Sequence, residues 1–268
     1  HALNISDTQN NRVYSALNGW AALTNNLFVW DYSSAFCDYL APFDDLATLQ
    51  QHYAFYAEKE VISVKNQGPR ETEVSVFGAY RNYLNSKLMW NKDENVSDLR
   101  DAFFTAYYGN AASDMNGYYD ALEAKLDALY VAGKKTGTVQ NSLFVADNWE
   151  KEELETLLET LNGALLKVGA SSEFYNRILA ETVFVRSALV SFCANDYTAA
   201  QLYDAESTLE TDAAALGADY VREGWYSYNS SMQYMLNEQK QNNAELSGEY
   251  ETRGLADVST DYASRAYS

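Results

Sequence analysis

Apolar positions in the first third of the chain switch between two spacings. From Arg12 they recur at helical intervals as Val13, Leu17, Trp20 and Leu23, and Asn25-Asn26 punctuate the chain ahead of the apolar run Leu27 to Trp30. That run predicts a buried strand, and it stops at Asp31, an acid flanked by Trp30 and Tyr32. A polar loop follows. Asp44, just after Pro42-Phe43, is the expected N-cap of a helix whose Leu46, Leu49, Tyr53 and Tyr56 share one face and which closes at Glu58-Lys59-Glu60. Val61 to Val64 predicts a second strand, Lys65 to Arg70 the loop leaving its C-terminal end, and Phe77, Tyr80, Leu84 and Leu88 a third helix ending near Trp90-Asn91. Short apolar strands alternating with amphipathic helices imply a parallel βαβ arrangement, in which ligands sit beyond the C-terminal strand ends. Asp31 and the Lys65 to Arg70 stretch are then expected on one rim.

Beyond Asn91 the strand signal disappears and helical spacing takes over. Ser97 is the expected cap of a helix carrying Leu99, Phe103 and Tyr107, with Gly109 as its left-handed stop. Tyr119, Leu122, Leu126 and Leu129 mark the next helix, broken by Gly133 to Gly137. Trp149 to Val168 is the clearest helix, an apolar stripe of Leu154, Leu157, Leu158, Leu161 and Leu165 opposite a Glu-rich solvated face. Phe174, Ile178, Val185 and Leu189, then Leu202, Leu209, Ala213, Leu216 and Tyr220, continue the bundle. The tail from about Gln239 to Ser268 is polar without a sustained period and is expected to be extended or loosely packed. The fold class is thus mainly α with a small α/β part: βα units over 1–92, a helical bundle over 93–238 and the polar tail over 239–268. No repeat of fixed length is evident.

Composition narrows the function. With 268 residues, 47% of them hydrophobic, the chain has enough apolar material for a packed core. Its 38 acidic against 19 basic side chains give a net charge of −19, which repels a phosphate backbone, so nucleic acid is not an expected partner. No window approaches the length of a membrane span and no basic amphipathic helix occurs, so neither is a membrane, and the protein is expected to be soluble. Cys37 and Cys193 lie far apart without metal or redox spacing and read as two buried free thiols. His1 and His52 are the only histidines, too few for a histidine-based metal site or a Ser-His-Asp triad, and no glycine-rich phosphate loop is present; no cofactor is expected. Acid chemistry, if any, must rest on carboxylates. The chain starts at His1 without Met or a signal peptide, so removal of a leader or a larger N-terminal region is expected.

Asp31 is the leading candidate, because a carboxylate at the end of an apolar strand is costly to bury without a task or partner. The alternative is a capping role, its oxygens accepting N–H groups of the following loop. Aromatic residues are plentiful, 22 Tyr, 11 Phe and 5 Trp, and such rings fill cores or make stacking platforms for sugars. Trp30 and Tyr32 are candidate walls of a sugar subsite, with alternation along the strand expected to send one of them into the core and Tyr32 the better rim candidate. Lys65, Asn66, Gln67 and Arg70 are candidate hydrogen-bond partners for sugar hydroxyls, and a cation among them can pair with a uronate carboxylate. The alternative for them is ordinary loop polarity.

His1-Ala2-Leu3-Asn4, Trp30-Asp31-Tyr32, Pro42-Phe43, Gln67-Gly68, Lys87-Leu88-Met89-Trp90-Asn91 and Tyr107-Tyr108-Gly109-Asn110-Ala111-Ala112 together resemble a large family of uncharacterised bacterial glycoside-hydrolase-like proteins, distantly allied to microbial α-glucuronidases. The resemblance spans roughly positions 1 to 120. It implies a (β/α)8 barrel followed by a helical region, with the two strands here being the last of the barrel. A whole barrel needs about 250 residues, so the resemblance also implies an upstream segment or a second chain that completes it. Glycosidases need two carboxyl groups flanking the scissile bond. By resemblance Asp31 is the base or its partner, the general acid lies on an earlier strand, and Glu stands in relatives at the place of Asn66. In Lys87 to Asn91, Leu88 and Trp90 are expected to seal the last helix and Asn91 to end it. The implied partner is a carbohydrate, in an extracellular or cell-surface bacterial setting. Two readings follow: part of a glycoside hydrolase using Asp31, or a non-catalytic carbohydrate-binding or helical interaction protein.

Overall fold

The computed structural model describes residues 7–69, 72, 74–134, 143–218, 220–223 and 226–227. The tail from Gln239, together with His1 and Arg70, lies outside them. The chain runs α1 (Asn11–Ala21), β1 (Leu27–Tyr32), α2 (Leu49–Glu58), β2 (Val61–Gln67) and α3 (Gly78–Trp90). It continues through α4 (Val96–Tyr108), α5 (Ala112–Val131), α6 (Lys151–Val168), α7 (Tyr175–Phe192) and α8 (Ala199–Ala215) to a short antiparallel pair, β3 (Tyr220–Arg222) and β4 (Tyr226–Ser227). The protein is therefore mostly helical, with one small parallel sheet.

β1 and β2 pair in parallel, as two strands joined through a helix require. The register sets Phe28 against Ser63, Trp30 against Lys65, Asp31 against Asn66 and Tyr32 against Gln67, with Ile62 an extra residue on β2. Both strands run longer than expected: Asp31 and Tyr32 belong to β1, and Lys65 to Gln67 belong to β2 rather than to a loop. Their polarity hid them, because only one face of each strand meets the core.

Helices α2 to α7 share one continuous core, from Leu46 through Tyr80, Phe104, Tyr118 and Leu161 to Cys193. In α6 the stripe Leu154, Leu157, Leu161 and Leu165 is buried against α5 and α7. Each such side chain contributes on the order of 2 kcal/mol by leaving water. A second cluster around Val183, Val190, Leu202 and Leu209 seats α8 on α7.

Several local expectations are corrected. Helix α2 starts at Leu49, not at Asp44; Asp44 and Asp45 are buried in a turn whose Asp45 carbonyl receives the Thr48 and Leu49 N–H groups. The α4 cap is Asn95, whose side chain accepts from the Ser97 and Asp98 N–H groups, so Ser97 lies inside the first turn. Trp90 seals nothing: it is 92% exposed, whereas Leu88 is buried. Two residues along a helix turn a side chain about 200° away, and α3 ends at Asn91 as expected. Tyr220 does not prolong α8, which stops before Gly217 at φ +68; it opens β3 instead. Val221 accepts a hydrogen bond from the Tyr39 N–H and Glu223 N–H donates to Phe36, fastening this segment to the long connection after β1. Cys193 is buried and Cys37 only half-buried; neither forms a disulfide.

Candidate functional site

The C-terminal halves of β1 and β2 present two faces. Phe28, Trp30 and Tyr32 stand on one, 56%, 51% and 43% exposed. Trp30 and Tyr32 therefore share a face, against the expectation that one enters the core, since a strand's period of two puts positions two apart on the same side. Trp30 Nε1 donates to Gln67 Oε1 at 2.9 Å, and Lys65 Nζ lies 3.7 Å from the centre of the indole ring. Tyr32 packs edge-on against Phe36 at 5.4 Å. The indole is thereby held by a hydrogen bond at its edge and a cation on its face.

The opposite face meets the helices. Asp31 Oδ2 accepts the Tyr56 hydroxyl at 2.7 Å, and Oδ1 accepts the N–H of Tyr32 at 2.9 Å. Beside it Asn66 Nδ2 donates to Asn85 Oδ1 at 3.2 Å, and the same oxygen takes the Tyr53 hydroxyl at 2.7 Å. Burial and then the Asp31 charge hold the Tyr53 and Tyr56 hydroxyls well above the ordinary phenol range, so both remain donors at neutral pH. The structure thus brings Trp30, Tyr32, Lys65 and Gln67 together and sets Asp31 with Asn66 behind them.

Past the strand ends lies a cavity of about 410 Å³ whose walls include Ser33, Gly68, Gly78, Arg81, Arg177 and Glu181. Ser33 extends the ladder by donating its N–H to the Gln67 carbonyl. Arg81 is buried: Nε donates to Asp45 Oδ1 at 2.6 Å, Nη1 to the Val76 carbonyl and Nη2 to the Phe43 carbonyl. It thereby ties α3 to the loop before α2. Burial nevertheless pushes Asp45 up to about 6, against the opposing pull of Arg81. Glu181, from the middle of α7, accepts the Phe77 N–H with both oxygens at 3.1 Å and lies 3.4 Å from the Tyr108 hydroxyl. Burial raises it to about 7 despite the Phe77 N–H and Arg81, which favour the charged form. Arg177 Nη1 donates to the Tyr107 carbonyl and Nη2 to Glu173, with its guanidinium stacked 4.7 Å from the Tyr107 ring. Among the described residues no group of three or more His, Cys, Asp or Glu side chains is placed to hold a metal.

Sequence reasoning missed Arg81, Arg177 and Glu181. The available signal was a charge on an otherwise apolar face: Arg81 beside Tyr80 and Leu84, and Glu181 within the run from Ile178 to Leu189.

Residues 1–120 match the model of a domain of unknown function (DUF4838). No curated protein and no solved structure matches the chain.

Proposed function

We propose that the chain is part of a glycoside-hydrolase-like protein acting on carbohydrate, and that the open face of β1 and β2 is its share of a sugar-binding surface. One observation carries this reading: three half-exposed aromatics, Phe28, Trp30 and Tyr32, line one strand at the C-terminal end of a parallel pair, with Lys65 and Gln67 opposite them. Aromatic rings left in water in a row mark a surface kept for a partner, and a ring fixed at its edge is a ready platform for the apolar face of a sugar. Lys65 supplies a charge for an acidic sugar and Gln67 an amide for hydroxyls. Among the described residues each strand has a single neighbour. The open outer edges are where further strands of a barrel would join, from an upstream segment or a second chain.

Within this reading Asp31 is the carboxylate that the chain brings to hydrolysis. A second reading, binding without hydrolysis, is favoured by Asp31 facing the helices with both oxygens engaged by Tyr56 and the Tyr32 N–H. Turnover of uronic-acid-decorated and hexosamine-containing glycans by the full-length protein and its Asp31→Asn variant, beside a glycan array with Tyr32→Ala, separates them. Turnover that disappears in a folded Asp31→Asn protein assigns the carboxylate its catalytic role. Glycan binding that depends on Tyr32 without any turnover assigns a binding module, and a wild type that retains no glycan removes both readings.

A further inference from the structure

We infer that the cavity beyond the strand ends is a second ligand site, one that takes a small hydroxylated organic anion with its carboxylate or phosphate group between Arg177 and the start of α3. Three independent features converge there. The hydroxyl of Ser33 is buried, the residue being 1% exposed, and its Oγ forms no hydrogen bond although it borders an open polar cavity. A buried hydroxyl without a partner is uncommon and costs about 1–3 kcal/mol unless a ligand or water satisfies it.

The second feature is the start of α3. The N-cap residue Phe77 has no capping side chain of its own, its N–H being held by Glu181, and the first turn of α3 carries no acid. Gly78 and Ala79 lie in the cavity wall, so the positive end of the helix faces the space. The lack of a Cβ at Gly78 allows Ser75 to fold over this turn, since a Cβ there would fall 2.2 Å from Ser75 Oγ. The third feature is charge. In a chain of net charge −19, two guanidinium groups, Arg81 and Arg177, border one cavity. Arg81 is committed to Asp45 and to two carbonyls, whereas Arg177 gives Nη1 to the Tyr107 carbonyl and Nη2 to Glu173, which is 72% exposed at its side chain and therefore a weak competitor. Among the described residues Glu181 is the one acid in the wall, and its oxygens are occupied by the Phe77 N–H and the Tyr108 hydroxyl.

A volume of about 410 Å³ falls in the ordinary range for small-ligand pockets. The surrounding Ser33, Ser75 and Asn82 suit a hydroxylated skeleton rather than a bare ion. Trp30 and Tyr32 do not line this cavity, so the inference stands apart from the reading of the sheet face.

Calorimetric titration of the full chain with D-glucuronate, glucose 6-phosphate, D-glucose and inorganic phosphate tests it. The expected result is saturable binding of glucuronate or glucose 6-phosphate and none of glucose, with the stronger of the two identifying the anionic group. Arg177→Gln weakens that binding roughly tenfold, and Ser33→Ala weakens it several-fold while the ligand-free Ser33→Ala protein melts no lower than wild type. Should Arg177→Gln fail to fold, Arg177→Lys keeps the charge, loses the fork, and is expected to bind more weakly than wild type. Glucose binding as tightly as glucuronate, no saturable binding of either organic anion, inorganic phosphate alone binding, or variants that bind like wild type would each overturn the inference.

Discussion

Replacing Glu181 by Gln probes the buried centre of the molecule with a single atom's change. The carboxylate sits in the middle of α7, 5% exposed, and holds the N–H of Phe77, the residue that enters α3 with φ at +51. Burial raises its folded pKa from 4.5 to about 7. The native state therefore binds this proton more tightly than the unfolded chain does. The resulting stabilisation is complete below about pH 4.5 and is lost as pH rises through about 7. At 1.36 kcal/mol per pH unit, the displacement from 4.5 to about 7 amounts to about 3 kcal/mol. Gln keeps the shape and an oxygen for Phe77 and removes the titration. Urea unfolding of wild type and Glu181→Gln between pH 4.5 and 8 is then expected to give a difference, wild type minus variant, that falls by about 3 kcal/mol with rising pH. Asp45 at about 6, and Glu123 and Glu206 at about 8, tilt both proteins the same way and cancel in the difference. A difference that stays flat across this range would mean that Glu181 does not take up its proton more tightly in the folded state.

Three further changes test other links. Arg81→Met leaves Asp45 buried without its counter-charge and two carbonyls without a donor, and is expected to cost about 3–5 kcal/mol in urea unfolding. Gly109→Ala forces a side chain onto φ +58 and brings its Cβ to 2.4 Å from Phe174 Cε2, so a loss of about 3 kcal/mol is expected from thermal melts. Tyr56→Phe removes the donor to Asp31 Oδ2, with an expected loss of about 1.5 kcal/mol in the same assay.

How far the sequence revealed this molecule depended on how local each signal was. Helix α6 was legible because its Leu stripe, its Glu-rich face and its boundaries all lie within eighteen residues. The parallel pairing followed from strand, helix and strand in succession. The ends of both strands were not legible: Lys65, Asn66 and Gln67 look like a loop by composition, yet Asn66 faces Asn85 and Gln67 holds Trp30. Nor was the connection after β1, where Ala35, Tyr39, Leu40 and Asp45 are buried although the stretch has no regular period. Its burial depends on Arg81 and on β3, which lie far along the chain. Asp31, Trp30 and Tyr32 were identified as neighbours, but which faced the open side was decided by alternation and by where the helices pack. The cavity joins residues from the connections after β1 and β2 with others from α3, α4 and α7, and no spacing in the sequence announces such a meeting.

Trp30 and Tyr32 are the residues on which the proposed sugar surface depends. Its most direct test is a glycan array with the full chain, followed by titration of the strongest ligand against Trp30→Ala and Tyr32→Ala. The expected result is saturable binding that weakens at least about tenfold in each variant, with urea unfolding little changed because both rings are half exposed. A glycan bound equally well by wild type and both variants would contradict it.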